Sequence, residues 1–256
     1  MSKSSTDIHW NERAVLEPDA AAVNIADVSQ RELETAFLLG HLRPADKVLE
    51  VGCGNGFLTE ILRQSVAHVD AFDYAENMVA KAIELQGERN NRFFHDNLLA
   101  PRAWSGPYDA IVCVRVLINL RDLAEQKRGI DHMTQALRPG GRLLLIEGYK
   151  DGFGELNRVR ETAGLDRLQP AAINFYSALG DVRAHLDPFY TIEAEFHTGC
   201  FDFLTRVVHP ALVGADKAVG HGEFHRRILP VARAFNPDAF ASLARLRGYS
   251  LIKRQA

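Results

Sequence analysis

The sequence predicts an α/β fold, a mostly parallel sheet covered by helices on both faces, and three observations carry that prediction. From Lys47 onward, short apolar runs alternate with segments whose apolar residues recur at helical spacing. The first apolar run passes directly into a loop holding Gly52, Gly54 and Gly56, and a helical pattern follows. Acidic residues then recur at the ends of later runs, at Asp73 and Asp96. In an open α/β sheet, that is the edge where a ligand crevice forms.

Taken in order, residues 1–28 read as an irregular segment containing Trp10 and the stretch 23–27. Ser29, with Glu32 three residues on, predicts a capped helix whose apolar face is Leu33, Phe37, Leu38 and Leu42. Strands are expected at 48–51, 69–72, 92–95, 110–114 and 143–146. Helices are expected around 57–65, 76–86 and 122–137, with a weaker pattern near 99–104. Pro139-Gly140-Gly141 breaks the chain before the last parallel strand. Beyond Glu147, residues 155–164 and 171–187 read as helical, and Tyr190–His197 alternates as a half-exposed strand does. Residues 243–252 are expected to pair with that strand antiparallel. The intervening 201–240 carries Pro210 and Pro230 and predicts an insertion of two or three short helices, either a substrate lid or an interface. The whole, 1–256, reads as one domain: a cap and helix over 1–42, a core over 47–150, and the insertion.

Composition removes several functional classes. Thirty Lys and Arg stand against thirty-three Asp and Glu, for a formal charge of −3, so no nucleic-acid partner is expected, because phosphate binding needs clustered cations. Three scattered cysteines without CxxC spacing predict neither a disulfide framework nor a zinc site. No apolar run approaches the ~20 residues of a membrane span, and 1–7 lacks the apolar core of a signal peptide. A cytoplasmic protein with no membrane partner is the expectation.

The chemistry concentrates in Glu50-Val51-Gly52-Cys53-Gly54-Asn55-Gly56. Glycine admits a close backbone approach and φ > 0, and the helix beyond offers unpaired N–H groups. A dinucleotide fingerprint reads G-x-G-x-x-G, whereas this loop reads G-x-G-x-G with Glu50 two residues before it. A carboxylate there repels a pyrophosphate but suits the ammonium of an amino-acid group. Asp73, closing the second strand, can accept both hydroxyls of a ribose. Tyr74 and Met78 are placed to pack on an adenine, and Asp96, in Asp96-Asn97-Leu98, to bond its exocyclic amine.

With Leu137-Arg138-Pro139-Gly140-Gly141, these motifs resemble the ordered set of class I S-adenosylmethionine-dependent methyltransferases, over residues about 47–147. The resemblance implies a Rossmann-like seven-stranded sheet, mostly parallel with an antiparallel last strand. It also implies S-adenosyl-L-methionine as cofactor, with Gly52, Gly54 and Gly56 at its methionine part and Asp73 at the ribose. Asp96, Asn97 and Leu98 would meet the adenine, and Arg115 the sulfonium and acceptor entrance. The stretch 23–31, Glu147-Gly148 and Asn157 are similar to a bacterial subgroup associated with sugar or secondary-metabolite methylation.

Two absences shape the acceptor. Adenine-directed DNA methylases carry a Pro-Pro loop after the fourth strand, where this chain has Val114-Arg115-Val116-Leu117. Catechol-type enzymes place Mg²⁺-binding carboxylates there, so no metal is expected. The expected partner is a small-molecule acceptor methylated on O or N, with a homodimer left open. Candidates for a base or an orienting group are Asn119, Glu147 and His41, with Asp151 and Asn174 also near the crevice. The competing readings are an NAD(P)-dependent oxidoreductase, against which stands the lack of a Tyr-x-x-x-Lys pair, and a non-catalytic member of the fold.

Overall fold

The chain was analysed as a computed structural model, which describes residues 5–16, 27–218, 220–235 and 237–255. Its sheet is built from β1 (Lys47–Val51), β2 (His68–Asp73), β3 (Asn91–His95), β4 (Tyr108–Val114), β5 (Leu137–Gly148), β6 (Tyr190–His197) and β7 (Leu246–Lys253). The strand order is β3-β2-β1-β4-β5-β7-β6, and only β7 runs against its neighbours. This is the Rossmann-like seven-stranded arrangement.

Strand alternation divides the core. Leu49 and Val51 of β1 face one apolar cluster, joined by Ile130 and Met133 of α5 (Leu123–Ala136) and by Val182 and Leu186 of α7 (Leu179–Leu186). Val48 faces the other, with Leu38 of α2 (Val28–Leu39), Leu62 of α3 (Phe57–Leu62) and Val79 and Ala82 of α4 (Glu76–Gln86). Covered on both faces, the central strands read as continuous apolar runs. From β1 the chain builds outward to β3, then returns to β4 on the other side. The reversal opens a crevice at the carboxyl ends of β1 and β4.

Several expectations change. Residues 5–16, expected to be irregular, form helix α1 (Ser5–Leu16), docked on α4: Asn11 Oδ1 accepts from the Asn77 amide at 3.0 Å. The stretch 23–26 lies outside the described residues. The cap of α2 is Asp27, whose carboxylate accepts from Gln30 N at 3.1 Å, so Ser29 falls inside the helix. No helix forms at 99–104, because Asp96 holds that segment as a loop, accepting from the amides of Arg102 and Ala103. The helix expected over 171–187 is shortened to α7. Asp151 Oδ2 accepts from Leu179 N at 2.7 Å where that helix starts, and Phe175 N instead donates to Ile118 O across the end of β4. The segment before α7 is thereby laid over the crevice. Helix α6 (Lys150–Thr162) starts earlier than its sequence pattern indicates, and β7 starts later, after a 3₁₀ segment at Pro237–Leu243.

The insertion is helical as expected. A short helix α8 (Gly199–Phe203) continues through a π turn (Leu204–Val208) into α9 (His209–Val213), and α10 (Glu223–Ala234) follows. Among the described residues, no helix is long and apolar enough to cross a membrane.

Candidate active site

A cavity of about 550 Å³ sits at the carboxyl ends of β1, β2 and β4. One wall is the glycine loop. Gly52 and Gly54 both have positive φ, +70° and +55°, and both line the cavity. A Cβ on Gly52 would lie 2.5 Å from Val116 Cγ2, so this position requires glycine for space as well as for conformation. Asp73 joins this loop to the next: one carboxylate oxygen accepts from Gly54 N at 2.8 Å, the other from Ala75 N at 2.8 Å. Burial pushes its pKa above the ordinary value, and the two backbone donors oppose that shift.

Tyr74, Met78, Asn97, Leu98, Arg115 and Asn119 also line the cavity. Met78 packs with Ala75 and Trp10 of α1, so the N-terminal helix supplies part of the wall beside Asp73. Arg115 departs from β4 with φ +55°, a left-handed conformation that is strained for a non-glycine residue. It reaches back to Glu34 of α2 at 3.2 Å. Asn119 donates through Nδ2 to Arg115 O at 2.8 Å, and its Oδ1 is buried without a protein partner.

Other residues singled out in the sequence stand behind this surface. Glu50 is buried, accepts from Thr59 Oγ1 at 2.5 Å and is not in the lining; desolvation lifts its pKa to about 8. Gly56 turns the chain into α3 with φ +78°, and its missing Cβ makes room for Phe93 and Ala82 rather than for the cavity. Asp96 spends its carboxylate on loop amides, leaving Asn97 and Leu98 to face inward. Glu147 accepts from the amides of Val116 and Leu117, both at 2.8 Å, so it anchors the chain after β4 and does not reach the cavity; burial raises its pKa to about 7. His41 lies outside the lining, against Phe37 on α2, with Nδ1 2.8 Å from Phe37 O. Of the three candidates for a base or an orienting group, only Asn119 meets the cavity, and as an amide it can orient an acceptor but not deprotonate it. Asp151 caps α7, whereas Asn174 does line the space.

The sequence reading did not single out Thr6, Tyr176 or Arg245, all of which line the cavity. A signal for Arg245 was available. Because β7 is antiparallel, its first residue, Leu246, pairs with Gly148 at the end of β5, so the residue before it falls on the crevice edge. No described residue of 201–240 is in the lining. Among the described residues, no three His, Cys, Asp or Glu side chains gather as a metal site.

A family model described as "Methyltransferase domain" matches residues 48–141. A ubiquinone biosynthesis O-methyltransferase of Xylella fastidiosa is 35% identical over 105 residues, covering 39% of this chain and 40% of the relative. A malonyl-[acyl-carrier protein] O-methyltransferase of Bacillus anthracis is 30% identical over 137 residues, covering 51% and 49%. The chain thus spans half or less of the length of these curated relatives. Two solved structures share the fold. The N-methyltransferase NodS of Bradyrhizobium japonicum, in complex with S-adenosyl-L-homocysteine, aligns with TM-score 0.62 at 15% identity, covering 98% of this chain and 100% of that one. Magnesium protoporphyrin IX methyltransferase of Synechocystis aligns with TM-score 0.58 at 20% identity, covering 98% and 95%. Residues 48–141 thus match a methyltransferase domain, and the sheet order is the fold shared with these methyltransferase structures.

Proposed function

We propose that the chain transfers a methyl group from S-adenosylmethionine to a small-molecule acceptor held in the 550 Å³ cavity. The observation that carries this reading is the joining of Gly54 to Asp73 by a 2.8 Å hydrogen bond, with both residues on the cavity. That contact brings an open backbone and a carboxylate together at the ends of adjacent strands.

The residues present fit the cofactor. Gly52 and Gly54 leave room for its methionine part against bare backbone. Each Asp73 oxygen accepts one backbone N–H and keeps acceptor capacity for a ribose hydroxyl. Phe72, Met78 and Leu98 form an apolar wall for an adenine, with Tyr74 and Asn97 beside them. Glu50, Gly56 and Asp96 act one layer back in this reading, by holding the loops that do the binding.

When bound, the cofactor supplies an electrophilic methyl on a sulfonium. The protein's share is then alignment of the acceptor and exclusion of water. Arg115 and Asn119 are the polar groups placed to orient it. Among the described residues, the lining contains no histidine, and its carboxylates are Asp73 and Glu125, the latter held by Arg121 at 2.7 Å. The acceptor therefore arrives as a nucleophile that needs no strong base. A secondary metabolite or a quinone precursor with an acidic hydroxyl or a neutral amine, methylated on O or N in the cytoplasm, falls within this class, whereas a sugar hydroxyl would need a base. The named activities of the Xylella and Bacillus relatives support a small or carrier-bound acceptor.

The test is calorimetry with S-adenosylhomocysteine and NADH in parallel, followed by a mass-shift screen of sugar, phenol and carboxylate acceptors with S-adenosylmethionine. Binding of NADH in place of the homocysteine compound would replace this reading with the oxidoreductase one.

A further inference from the structure

Part of the cavity wall is cationic. Arg115 and Arg245 both line it, with Tyr176 beside them as a hydrogen-bonding neighbour of Arg245. The acidic partners of the two arginines stand behind them. Glu34, 3.2 Å from Arg115, and Asp202, 3.5 Å from Arg245 Nε, are both buried outside the lining.

Asp202 is already committed. One of its oxygens accepts from Arg206 Nε at 3.0 Å; the other accepts from Thr198 Oγ1 at 2.5 Å and from the Arg245 main-chain amide at 2.9 Å. The Arg245 guanidinium donates no hydrogen bond to it, although Nε stands 3.5 Å from one of its oxygens: Nη2 instead donates to the neutral amide oxygen of Gln30 at 2.5 Å, and Nε has no hydrogen-bond partner. Arg115 Nε is likewise buried without one. Each guanidinium shares its carboxylate with another donor, Asp202 with Arg206 and Glu34 with Gln30, so the pair keeps capacity for a further anion. Glu34 and Gln30 are themselves bonded at 2.9 Å, so both arginines are braced from behind while their side chains line the cavity. The charge of Arg245 also helps to lower the Arg115 pKa, after desolvation as the main cause, as expected of two cations sharing one space.

From this geometry we infer that the acceptor carries an oxyanion, a carboxylate or a phosphate, held by Arg115, Arg245 and Tyr176 on the cavity wall. The inference rests on the proposed methyl-transfer reading and narrows its acceptor to an acid. It also accounts for the lack of a histidine among the described lining residues, because an ionised acid needs no deprotonation when it is itself the nucleophile.

The experiment uses the full chain saturated with S-adenosylhomocysteine, so that failure of cofactor binding is seen first and separately. Ligand-observed NMR and calorimetry then compare benzoate with benzamide, glucuronate with glucose, and inorganic phosphate. At least one acid is expected to bind ten times or more tightly than its neutral counterpart, and the phosphate arm separates the two sources of oxyanion. Arg245→Gln is expected to weaken that acid at least tenfold while changing affinity for the homocysteine compound less than twofold. Should Arg245→Gln prove unfolded, Tyr176→Phe, which removes only a hydroxyl, is expected to weaken the acid severalfold. The inference is overturned if acids and neutral counterparts bind alike, if none of the anions binds, or if neither variant that folds weakens the acid. It is equally overturned if Arg245→Gln loses the homocysteine compound, since the anion served would then be the cofactor's own carboxylate.

Discussion

Asp73→Asn perturbs the proposed cofactor site with the least change in shape. In the native protein the two carboxylate oxygens accept from Gly54 N and Ala75 N, each at 2.8 Å. The amide keeps one acceptor and turns an NH₂ toward the other backbone donor, so one charge-assisted bond is lost. A hydrogen bond to a charged group contributes about 1.5–3 kcal/mol. For a chain of this size each kcal/mol corresponds to roughly 2–4 °C in melting temperature, so the variant should melt lower by roughly 3–12 °C and still fold. The same substitution removes the ionic acceptor offered to a ribose. The corresponding loss in binding is about 10- to 100-fold in Kd for S-adenosylhomocysteine. Calorimetry on the variant, below its melting point, measures this directly. A folded variant with wild-type affinity would remove Asp73 from the site and leave it only the structural task of tying two loops together.

Three further predictions follow from the same geometry. Gly54→Val places a β-branched residue at φ +55° on the cavity wall and should abolish binding of S-adenosylhomocysteine; normal binding would mean that the loop does not touch the ligand. Burial lifts Glu50 from 4.5 to about 8 and Glu147 from 4.5 to about 7, so both carboxyls hold protons more tightly folded than unfolded. That contribution is complete below about pH 4.5 and is lost as pH rises through 7 and 8; Glu50→Gln should flatten the decline in melting temperature across that upper range, and an unchanged pH profile would contradict the assignment. Finally, Trp10 and Thr6 line the cavity from α1, so amides of residues 5–16 should gain hydrogen-exchange protection when S-adenosylhomocysteine binds, and equal exchange in both states would exclude α1 from the closed site.

What could be read ahead of the structure follows the physics of each signal. The parallel core was legible because buried strands and amphipathic helices carry different periods, and 76–86 coincides with α4. The cavity positions of Gly52, Gly54, Asp73 and Asn97 were legible because a crevice must form at the carboxyl ends of parallel strands. Helix α1 escaped because its stabilising partners are distant: Asn11 bonds α4, and Trp10 packs on Ala75 and Met78. The difference between lining the cavity and bracing it was also hidden. Glu50, Asp96 and Glu147 carry the residue type expected of a site, yet their carboxylates turn to Thr59 or to loop amides, a choice made by tertiary geometry alone. Arg245 is not marked by the carboxyl-end rule for parallel strands, because the antiparallel strand delivers its beginning, not its end, to the same edge.

The central claim is that the crevice between β1 and β4 binds the S-adenosyl group, and titration of the purified chain with S-adenosylhomocysteine, with NADH as the parallel ligand, tests it most directly. The account predicts one site per chain for the homocysteine compound, with micromolar affinity or tighter, and no heat from NADH. No binding of the homocysteine compound by wild-type protein, or binding that Gly54→Val and Asp73→Asn both leave untouched, would contradict it.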